Sequence, residues 1–377
     1  MSLATRCSGR ACRNSDEGSP QPGMSSRSVI AVMLVSATLL LSACGDRATE
    51  DAALQQHQAE QQATASGLEQ AAERVFTGIC DGSAAVLLDD ATLLVAYDEV
   101  NTLFAFPLSG GAATARFDLD RLLELPSSAE IDIEAATRAG DRIWWIGSHG
   151  RDADGNDAPN RRLLFATSVP SPGLQDLQLR VAPQDLTSML LVNPEVRAVL
   201  NKAVRKRAPK AGGVNIEGLA TTAEGGLLLG FRSPLSAPDG LTGKALLVGL
   251  LPDGDRFRVQ SVSQLDLDDR GVRDIASHAG GFVMIAGPAK SAGGFALYAW
   301  DGRGERAEAL QPIADLHAEA LVDTGSHWLL LSDDGKQLRA DTESSNGFSR
   351  CDSIRQHAGA GAQHPGVFFR GRLVAKQ

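Results

Sequence analysis

A short pattern recurs along this chain: an acidic residue, two small or apolar residues, a polar turn, and then a strand of large apolar residues. The clearest copies begin at Glu134, Glu217, Asp274 and Glu319, and a degenerate copy begins at Asp81. Repetition of one unit at intervals of roughly 40–50 residues is typical of a β-propeller. Equivalent residues of successive blades line one central channel. The pattern therefore predicts a ring of carboxylates at one mouth of that channel.

The spacing of the acidic residues limits the number of blades. Glu134 and Glu217 are 83 residues apart, whereas Asp274 and Glu319 are 45 residues apart. The long interval must hold an additional blade or a large insertion, and residues 183–211 within it have a helical pattern. We therefore expect an all-β propeller of five or six blades, with six as the preferred number.

The residues before the repeats divide into three segments. Residues 1–23 are polar and are expected to be untranslated or disordered, because Met24 begins a complete export signal over residues 24–43. Residues 44–74 are rich in Ala and Gln and are expected to form a flexible tether. The propeller domain is expected to occupy residues 75–377.

The end of the signal contains a lipidation motif. The apolar run over residues 29–41 is too short for an ordinary transmembrane helix, and it leads into Leu41-Ser42-Ala43-Cys44, which resembles the lipobox of bacterial lipoproteins. In that family the cysteine is lipidated and becomes the first residue of the mature protein. Because Gly45 rather than Asp follows, we expect an outer-membrane anchor facing the periplasm. The alternative is a plain signal cleaved after Ala43, which would give a secreted protein.

Two cysteines remain within the expected propeller, Cys80 and Cys351, near its two ends. Exported proteins meet conditions in which disulfides persist. A propeller brings its first and last strands together, so we expect a disulfide between these cysteines that closes the ring. Two unpaired, buried thiols are the alternative.

The overall charge narrows the range of partners. The chain has a formal net charge of −10 and shows no concentrated basic stripe, which argues against nucleic acid and anionic lipid as main partners. The basic residues near Arg205 are interpreted first as a solvated helix face. The expected contact with the membrane is through the lipid anchor alone.

Carboxylates that lie close together cannot all stay ionised unless positive charge offsets them. One solution is a divalent cation, and Ca²⁺ is the first candidate because it takes six to eight oxygen ligands. The candidate metal ligands are the four repeated acids Glu134, Glu217, Asp274 and Glu319. The remaining coordination positions could be filled by Asp132, Asn215, Asp333 and Asp334.

Two further uses of the same acids stay open. They could pair with Arg232, Arg273, and His149 or His317, all close to the repeats in sequence. Alternatively, they could only accept backbone hydrogen bonds between blades. Arginine matches the geometry of carboxylate and phosphate groups, so Arg232 and Arg273 could also hold a small anionic ligand.

Several phrases of the chain resemble a known family. These are Asn215-Ile216-Glu217-Gly218-Leu219-Ala220, Phe231-Arg232-Ser233-Pro234-Leu235, Gly271-Val272-Arg273-Asp274-Ile275, Ala286-Gly287-Pro288 and Gly147-Ser148-His149-Gly150. In this order they resemble the bacterial domain-of-unknown-function family 3616, over roughly residues 78–370. The resemblance implies a propeller-like fold and no established activity. The Glu-Gly-Leu-Ala phrase alone is similar to the esterase-like phytase propellers, which would imply a metal ligand at Glu217 and an anion contact at Arg232.

Two functions from different classes follow. The preferred one is an envelope-anchored binding module for an envelope protein or a small anionic ligand, because no activated nucleophile or complete metal motif can be found. The alternative is a metal-dependent hydrolase of the phosphoesterase, esterase or lactonase type. Its candidate catalytic residues are Glu217, Arg232, Arg273 and His149.

Overall fold

The computed structural model describes residues 73–126, 129–170, 176–237, 243–290, 293–341, 344–345, 347–359 and 364–376. The predicted signal peptide, the lipidation of Cys44 and nearly all of the tether lie outside these residues. Within them, no helix is both long enough and apolar enough to span a membrane.

The described residues form five antiparallel blades. Strand β1 (Glu73–Thr77) belongs to the fifth blade, and the first blade contains β2 (Ala84–Asp89), β3 (Thr92–Tyr97), β4 (Val100–Pro107) and β6 (Ala115–Asp118). The short strand β5 (Gly111–Ala112) pairs in parallel with β1. A short helix, α1 (Leu119–Leu123), follows the first blade.

The next three blades are continuous four-stranded meanders. The second contains β7 (Ile133–Ala139), β8 (Arg142–Gly147), β9 (Leu164–Ser168) and β10 (Leu179–Gln184). The third contains β11 (Asn215–Thr221), β12 (Leu227–Ser233), β13 (Ala245–Asp253) and β14 (Arg256–Leu265). The fourth contains β15 (Arg270–His278), β16 (Gly281–Pro288), β17 (Phe295–Trp300) and β18 (Glu308–Ile313).

The fifth blade closes the ring with both ends of the domain. It contains β19 (Ala318–Asp323), β20 (His327–Ser332) and β23 (Phe368–Ala375), and β1 pairs antiparallel with β23. Between β20 and β23 the chain forms a hairpin of β21 (Leu338–Ala340) and β22 (Phe348–Arg350), then helix α4 (Cys351–Ala358).

The predicted disulfide between Cys80 and Cys351 is confirmed. Both cysteines are fully buried and pack with Ile354 and Val367. The bridge spans 271 residues of sequence and joins the segment after β1 to the start of α4. In the chain-entropy account, closing a loop of this length stabilises the folded state by about 5 kcal/mol.

The prediction of an all-β propeller is confirmed, and the structure has five blades rather than the preferred six. The long interval between Glu134 and Glu217 holds two helices, α2 (Thr187–Val192) and α3 (Pro194–Leu200), in place of a sixth blade. Asn193 caps α3 by accepting hydrogen bonds from the N–H groups of its first turn. The apolar residues of this insertion pack against the second and third blades.

The core is divided among the blade interfaces. Five apolar clusters each join the facing sheets of two neighbouring blades, so each blade buries its surface on its neighbours. Near the axis the sheets approach closely. A Cβ atom at Gly230 would lie 2.6 Å from Val272 of the next blade, and one at Gly218 would lie 2.8 Å from Ile275. Glycine at these two positions of the third blade lets its first two strands approach the inner strand β15 of the fourth blade.

Candidate ligand-binding site at the channel mouth

The inner strands of the blades, β2, β7, β11, β15 and β19, lie side by side around the axis. In four of them the pairing with the second strand contains one extra residue near the start of the inner strand. This bulged residue is Glu134, Glu217, Arg273 or Glu319 in the second, third, fourth and fifth blades. Bulges redirect side chains and are common next to functional sites. The equivalent position in the fourth blade is therefore Arg273, one residue before the predicted Asp274.

Asp274 has a structural role in the fourth blade. Its side chain is buried, with one carboxylate oxygen accepting from the N–H of Ile275 at 2.7 Å and the other from the N–H of Leu321 at 2.8 Å. Burial raises the pKa of this carboxyl well above its usual value. Asp274 joins two neighbouring inner strands by accepting backbone hydrogen bonds. This is one of the alternatives that the sequence leaves open for the repeated acids.

Glu217 and Glu319 are held by arginines. Glu217 accepts from Arg232 Nη1 at 2.8 Å and from Asn215 Nδ2 at 2.5 Å, both through Oε1. Its Oε2 lies 2.8 Å from Arg273 Nε, and Arg273 Nη2 contacts Glu319 Oε1. We call Glu217, Arg232, Arg273 and Glu319 the arginine half of the mouth. The structure thus separates these two acids from Asp274, although all were predicted as ligands of one metal.

Arg273 is the central charge of the arginine half. Its side chain is 0% exposed and its guanidinium lies 5.7 Å from the centre of the Phe295 ring. Burial lowers its pKa from the usual arginine value, while the nearby Glu217 carboxylate opposes that effect. A buried guanidinium persists only where carboxylates face it, and Glu217 and Glu319 do so here.

Arg232 also has several partners. Its Nε donates to the carbonyl of Pro288 and its Nη2 to that of Lys290, both at 3.2 Å. Arg232 is itself an extra residue in the β11–β12 pairing, so two bulges of one blade face each other at the mouth. Its guanidinium ties the third blade to the fourth.

The opposite side of the mouth has a surplus of carboxylates. We call Asp81, Asp98, Glu134 and Asp333 the acidic half. Among the described residues none of the four forms an ion pair with an arginine, and the basic side chain nearest to Asp333 is the imidazole of His317, at 3.6 Å. The Oδ1 atoms of Asp81 and Asp98 are buried without a hydrogen-bond partner. Asp132, beside this group, pairs with Arg161 at 2.9 Å.

Burial and mutual repulsion perturb these carboxyl groups. Burial, followed by the charges of Asp98 and Asp333, raises the pKa of Asp81 well above its usual value. Burial likewise raises the pKa of Asp98 and Glu134, with neighbouring carboxylates adding to the effect. Burial raises the pKa of Asp132 to about 6 even with Arg161 beside it. The acidic half is therefore a place where positive charge would be strongly stabilising.

In the sequence, Asp81 is recognisable only as the start of a degenerate repeat, and Asp98 lies outside the repeated pattern. Asp98 follows β3, Asp333 follows β20, and Arg232 lies near the end of β12. Because these second strands run antiparallel to the inner strands, their ends lie at the mouth where the inner strands begin. A comparison of strand ends as well as strand starts would have identified Asp98.

His149 and Asp334 are occupied by local contacts. His149 Nδ1–H donates to the carbonyl of Gly147 at 3.0 Å, and its Nε2 accepts from the N–H of Leu186 at 3.4 Å. Burial lowers the pKa of His149 to about 4, so the neutral ring holds the helical insertion to the second blade. Asp334 is fully buried and accepts from Arg370 with both oxygens.

The fifth blade brings a histidine to the mouth. His317 Nδ1 lies 3.7 Å from Glu319 Oε1 and 3.6 Å from Asp333 Oδ2. These three potential metal ligands lie within 4.8 Å of one another. Burial, followed by the charge of Arg273, lowers the pKa of His317.

The fold and the site together define the class of protein. It is a five-bladed propeller with a polar cluster at one channel mouth, and the cluster is divided into an acidic half and an arginine half. The chain belongs to the family described as "Protein of unknown function (DUF3616)", whose model matches residues 81–162 and 174–326. The predicted resemblance to this family is confirmed. A search of curated proteins gave no match.

Three solved structures illustrate what this chain is similar to in fold. A candidate glucose dehydrogenase from Thermus thermophilus is 12% identical, with 80% of this chain and 100% of that chain covered and a TM-score of 0.38. The PQQ-bound aldose sugar dehydrogenase from Streptomyces coelicolor is 12% identical, with 81% and 99% covered and a TM-score of 0.37. The glutaminyl cyclase of Myxococcus xanthus is 12% identical, with 81% and 96% covered and a TM-score of 0.37.

Proposed function

We propose that this protein is a binding module whose channel mouth takes a divalent cation in its acidic half, with Ca²⁺ as the first candidate. The observation that carries the proposal is the pair of buried, unpartnered carboxylate oxygens on Asp81 and Asp98. Buried carboxylates without partners are costly, and a hard cation with oxygen ligands removes that cost.

The distribution of charge supports this proposal. In the mouth, Arg161 pairs with Asp132, Arg232 pairs with Glu217, and Arg273 contacts both Glu217 and Glu319. The four carboxyl groups of the acidic half have no such arginine among the described residues. The raised pKa values of Asp81, Asp98 and Glu134 reflect burial and the repulsion among these groups. A dication would offset both effects.

The binding function is favoured over the hydrolase. Arg232, assigned to an anionic substrate in that alternative, donates instead to Glu217 and to two backbone carbonyls. Both ring nitrogens of His149 are engaged with backbone groups. A small anionic ligand could still join the site by completing the coordination of the bound cation, since Ca²⁺ takes more ligands than the acidic half supplies.

Isothermal titration of the purified protein with Ca²⁺ tests the proposal. We expect saturable binding of about one ion, weakened at least tenfold in the double variant Asp81→Asn/Asp98→Asn, which keeps the side-chain shapes. The matched control is Asp90→Asn/Asp141→Asn, which removes the same charge from exposed hairpin turns and should bind like the wild type. Absence of binding by the wild-type protein would contradict the proposal, and so would equal binding by the double variant.

We also propose that the protein is a lipoprotein of the bacterial outer membrane, anchored through Cys44 and facing the periplasm. The buried disulfide supports an oxidising compartment. Cell fractionation tests this proposal, because Cys44→Ala should move the protein from the membrane fraction to the soluble fraction. Retention of the variant in the membrane would contradict a lipid anchor at Cys44.

A further inference from the structure

We infer that His317, Glu319 and Asp333 form a site for a borderline divalent metal ion of the Zn²⁺ class at the edge of the mouth. The inference rests on the proposed cation-binding function and names a second kind of ion for the same mouth. All three ligands come from the fifth blade, where His317 precedes β19, Glu319 is the bulged residue of β19, and Asp333 follows β20.

The distances suit a metal ion better than hydrogen bonds. Separations of 3.6 and 3.7 Å from His317 Nδ1 to the two carboxylate oxygens are too long for hydrogen bonds. Tetrahedral Zn²⁺ with bonds near 2.1 Å places its ligand atoms about 3.4 Å apart. Small movements of the side chains would therefore bring all three ligand atoms to an ion between them.

The surroundings hold the three ligands in place. The N–H of Asp333 donates to the carbonyl of His317 at 2.8 Å, which fixes the two residues across the blade. Asp333 Oδ1 accepts from the N–H of Gly335 at 2.9 Å, and its Oδ2 lies toward the imidazole. The ring of Phe295 meets the imidazole edge-on, with centroids 4.7 Å apart. Such contacts orient ligands around protein-bound metals.

Two buried side-chain atoms at this place lack hydrogen-bond partners. His317 Nδ1 is buried and has no hydrogen-bond partner among the described residues. Asp81, which forms an isolated backbone bridge with Asp333, is only 4% exposed and carries an unpartnered Oδ1. A metal ion would give Nδ1 a partner, and its charge would stabilise the Asp81 carboxylate.

The ligand set indicates the class of metal. An imidazole nitrogen with two carboxylates suits Zn²⁺ and its neighbours among the transition metals, whereas Ca²⁺ and Mg²⁺ prefer oxygen ligands alone. Three protein ligands leave a fourth position for water or for a bound ligand. Arg273 Nη2 contacts the same Oε1 of Glu319, so an ion at this site would share that carboxylate with the guanidinium. The positive charge of Arg273 opposes that of the ion, and the carboxylates of the acidic half favour it.

Titration of the wild-type protein with Co²⁺, a coloured substitute for Zn²⁺, tests the inference. We expect visible absorption bands of low-symmetry Co²⁺ that saturate near one ion per chain and that excess Zn²⁺ removes. His317→Ala should abolish the bands and weaken Zn²⁺ binding at least a hundredfold. The matched control His327→Ala changes a histidine at the other end of the same blade and should keep both.

Further measurements distinguish loss of metal binding from loss of folding, and the Ca²⁺ site from the Co²⁺ site. His317 has a side chain that is 42% exposed, so His317→Ala should melt cooperatively, and Asp333→Asn provides a second variant with the same expected loss of Co²⁺ binding. Absent bands in the wild type, or bands that persist in both variants, would overturn the inference. Ca²⁺ binding that depends on Asp81 and Asp98 but not on His317 would leave the proposed function standing when this inference fails. Co²⁺ binding without Ca²⁺ binding would support this inference and contradict the proposed function.

Discussion

The two halves of the channel mouth are built on the same repeated positions but satisfy their charges differently. In the arginine half, Glu217 and Glu319 are each within reach of a buried guanidinium. In the acidic half, Glu134 occupies the equivalent bulge and has no arginine partner among the described residues, and neighbouring carboxylates raise its pKa further. The backbone repeat therefore places side chains around the channel, and the residue types at neighbouring positions decide whether a carboxylate there faces an arginine.

The largest expected effect comes from removing the central charge of the arginine half. Arg273→Met leaves Glu217 without one of its partners and Glu319 without an arginine, and breaking a buried ion pair costs about 3–5 kcal/mol. Urea denaturation should show this loss. Arg161→Met, which removes a more exposed arginine from Asp132, should cost clearly less. Equal losses would contradict the central role of Arg273.

The next loss of stability is expected from the acid that joins two blades. Asp274→Ala leaves the N–H groups of Ile275 and Leu321 without their acceptor, and each unsatisfied buried group costs about 1–3 kcal/mol. The free energy of unfolding should fall, and exchange of the Leu321 amide hydrogen should become faster. Unchanged exchange at Leu321 would argue against the hydrogen bond between the blades.

In the acidic half we expect substitution of the carboxylates to increase the free energy of unfolding. Asp81→Asn/Asp98→Asn removes buried, unpaired charge, so without metal it should raise the free energy of unfolding by about 1 kcal/mol. Denaturation in the presence of a chelator measures this change. A destabilised double variant that still folds would show that these carboxylates have partners in the folded state.

The stability contributed by the acidic half is expected to depend on pH. The raised pKa values of Asp81, Asp98 and Glu134 mean that the folded protein binds protons that the unfolded chain releases. The stability linked to these groups is therefore fully present below about pH 4 and is lost as the pH rises through their folded-state pKa values, with Asp132 contributing near pH 6. Chelated wild-type protein should lose more stability than Asp81→Asn/Asp98→Asn as the pH rises above about 4. Parallel pH profiles would contradict this account.

The sequence was sufficient to predict the propeller and the mouth, because the spacing of the acids before apolar strands repeats clearly. It placed Glu134, Glu217 and Glu319 at equivalent positions, and the bulges agree. In the fourth blade the repeated pattern of an acid and two small residues begins at Asp274, one residue after the bulged Arg273. A bulge shifts the strand pairing and has no sequence signature of its own, so the pattern alone predicts Asp274.

Other features depend on three-dimensional contacts. His317 and Asp333 lie close together because β19 pairs with β20. The spacing of motifs along the sequence does not reveal which residues this pairing brings together. The sixth blade is predicted only from the length of the interval between Glu134 and Glu217. The local sequence there forms a helix instead, with Asn193 as its cap, Pro194 at its start, and Val196 and Leu200 on its buried side. The division of the mouth into two halves also required the order of blades around the ring.

The most direct test of the central claim is the melting temperature of the protein at pH 7 with Ca²⁺ and with chelator. A cation held by the acidic half of the folded state stabilises that state by mass action. We predict that Ca²⁺ raises the melting temperature of the wild type and of Arg232→Lys, and that it does not change that of Asp81→Asn/Asp98→Asn. Equal melting temperatures of the wild type with Ca²⁺ and with chelator would contradict the claim that the acidic half is a cation site.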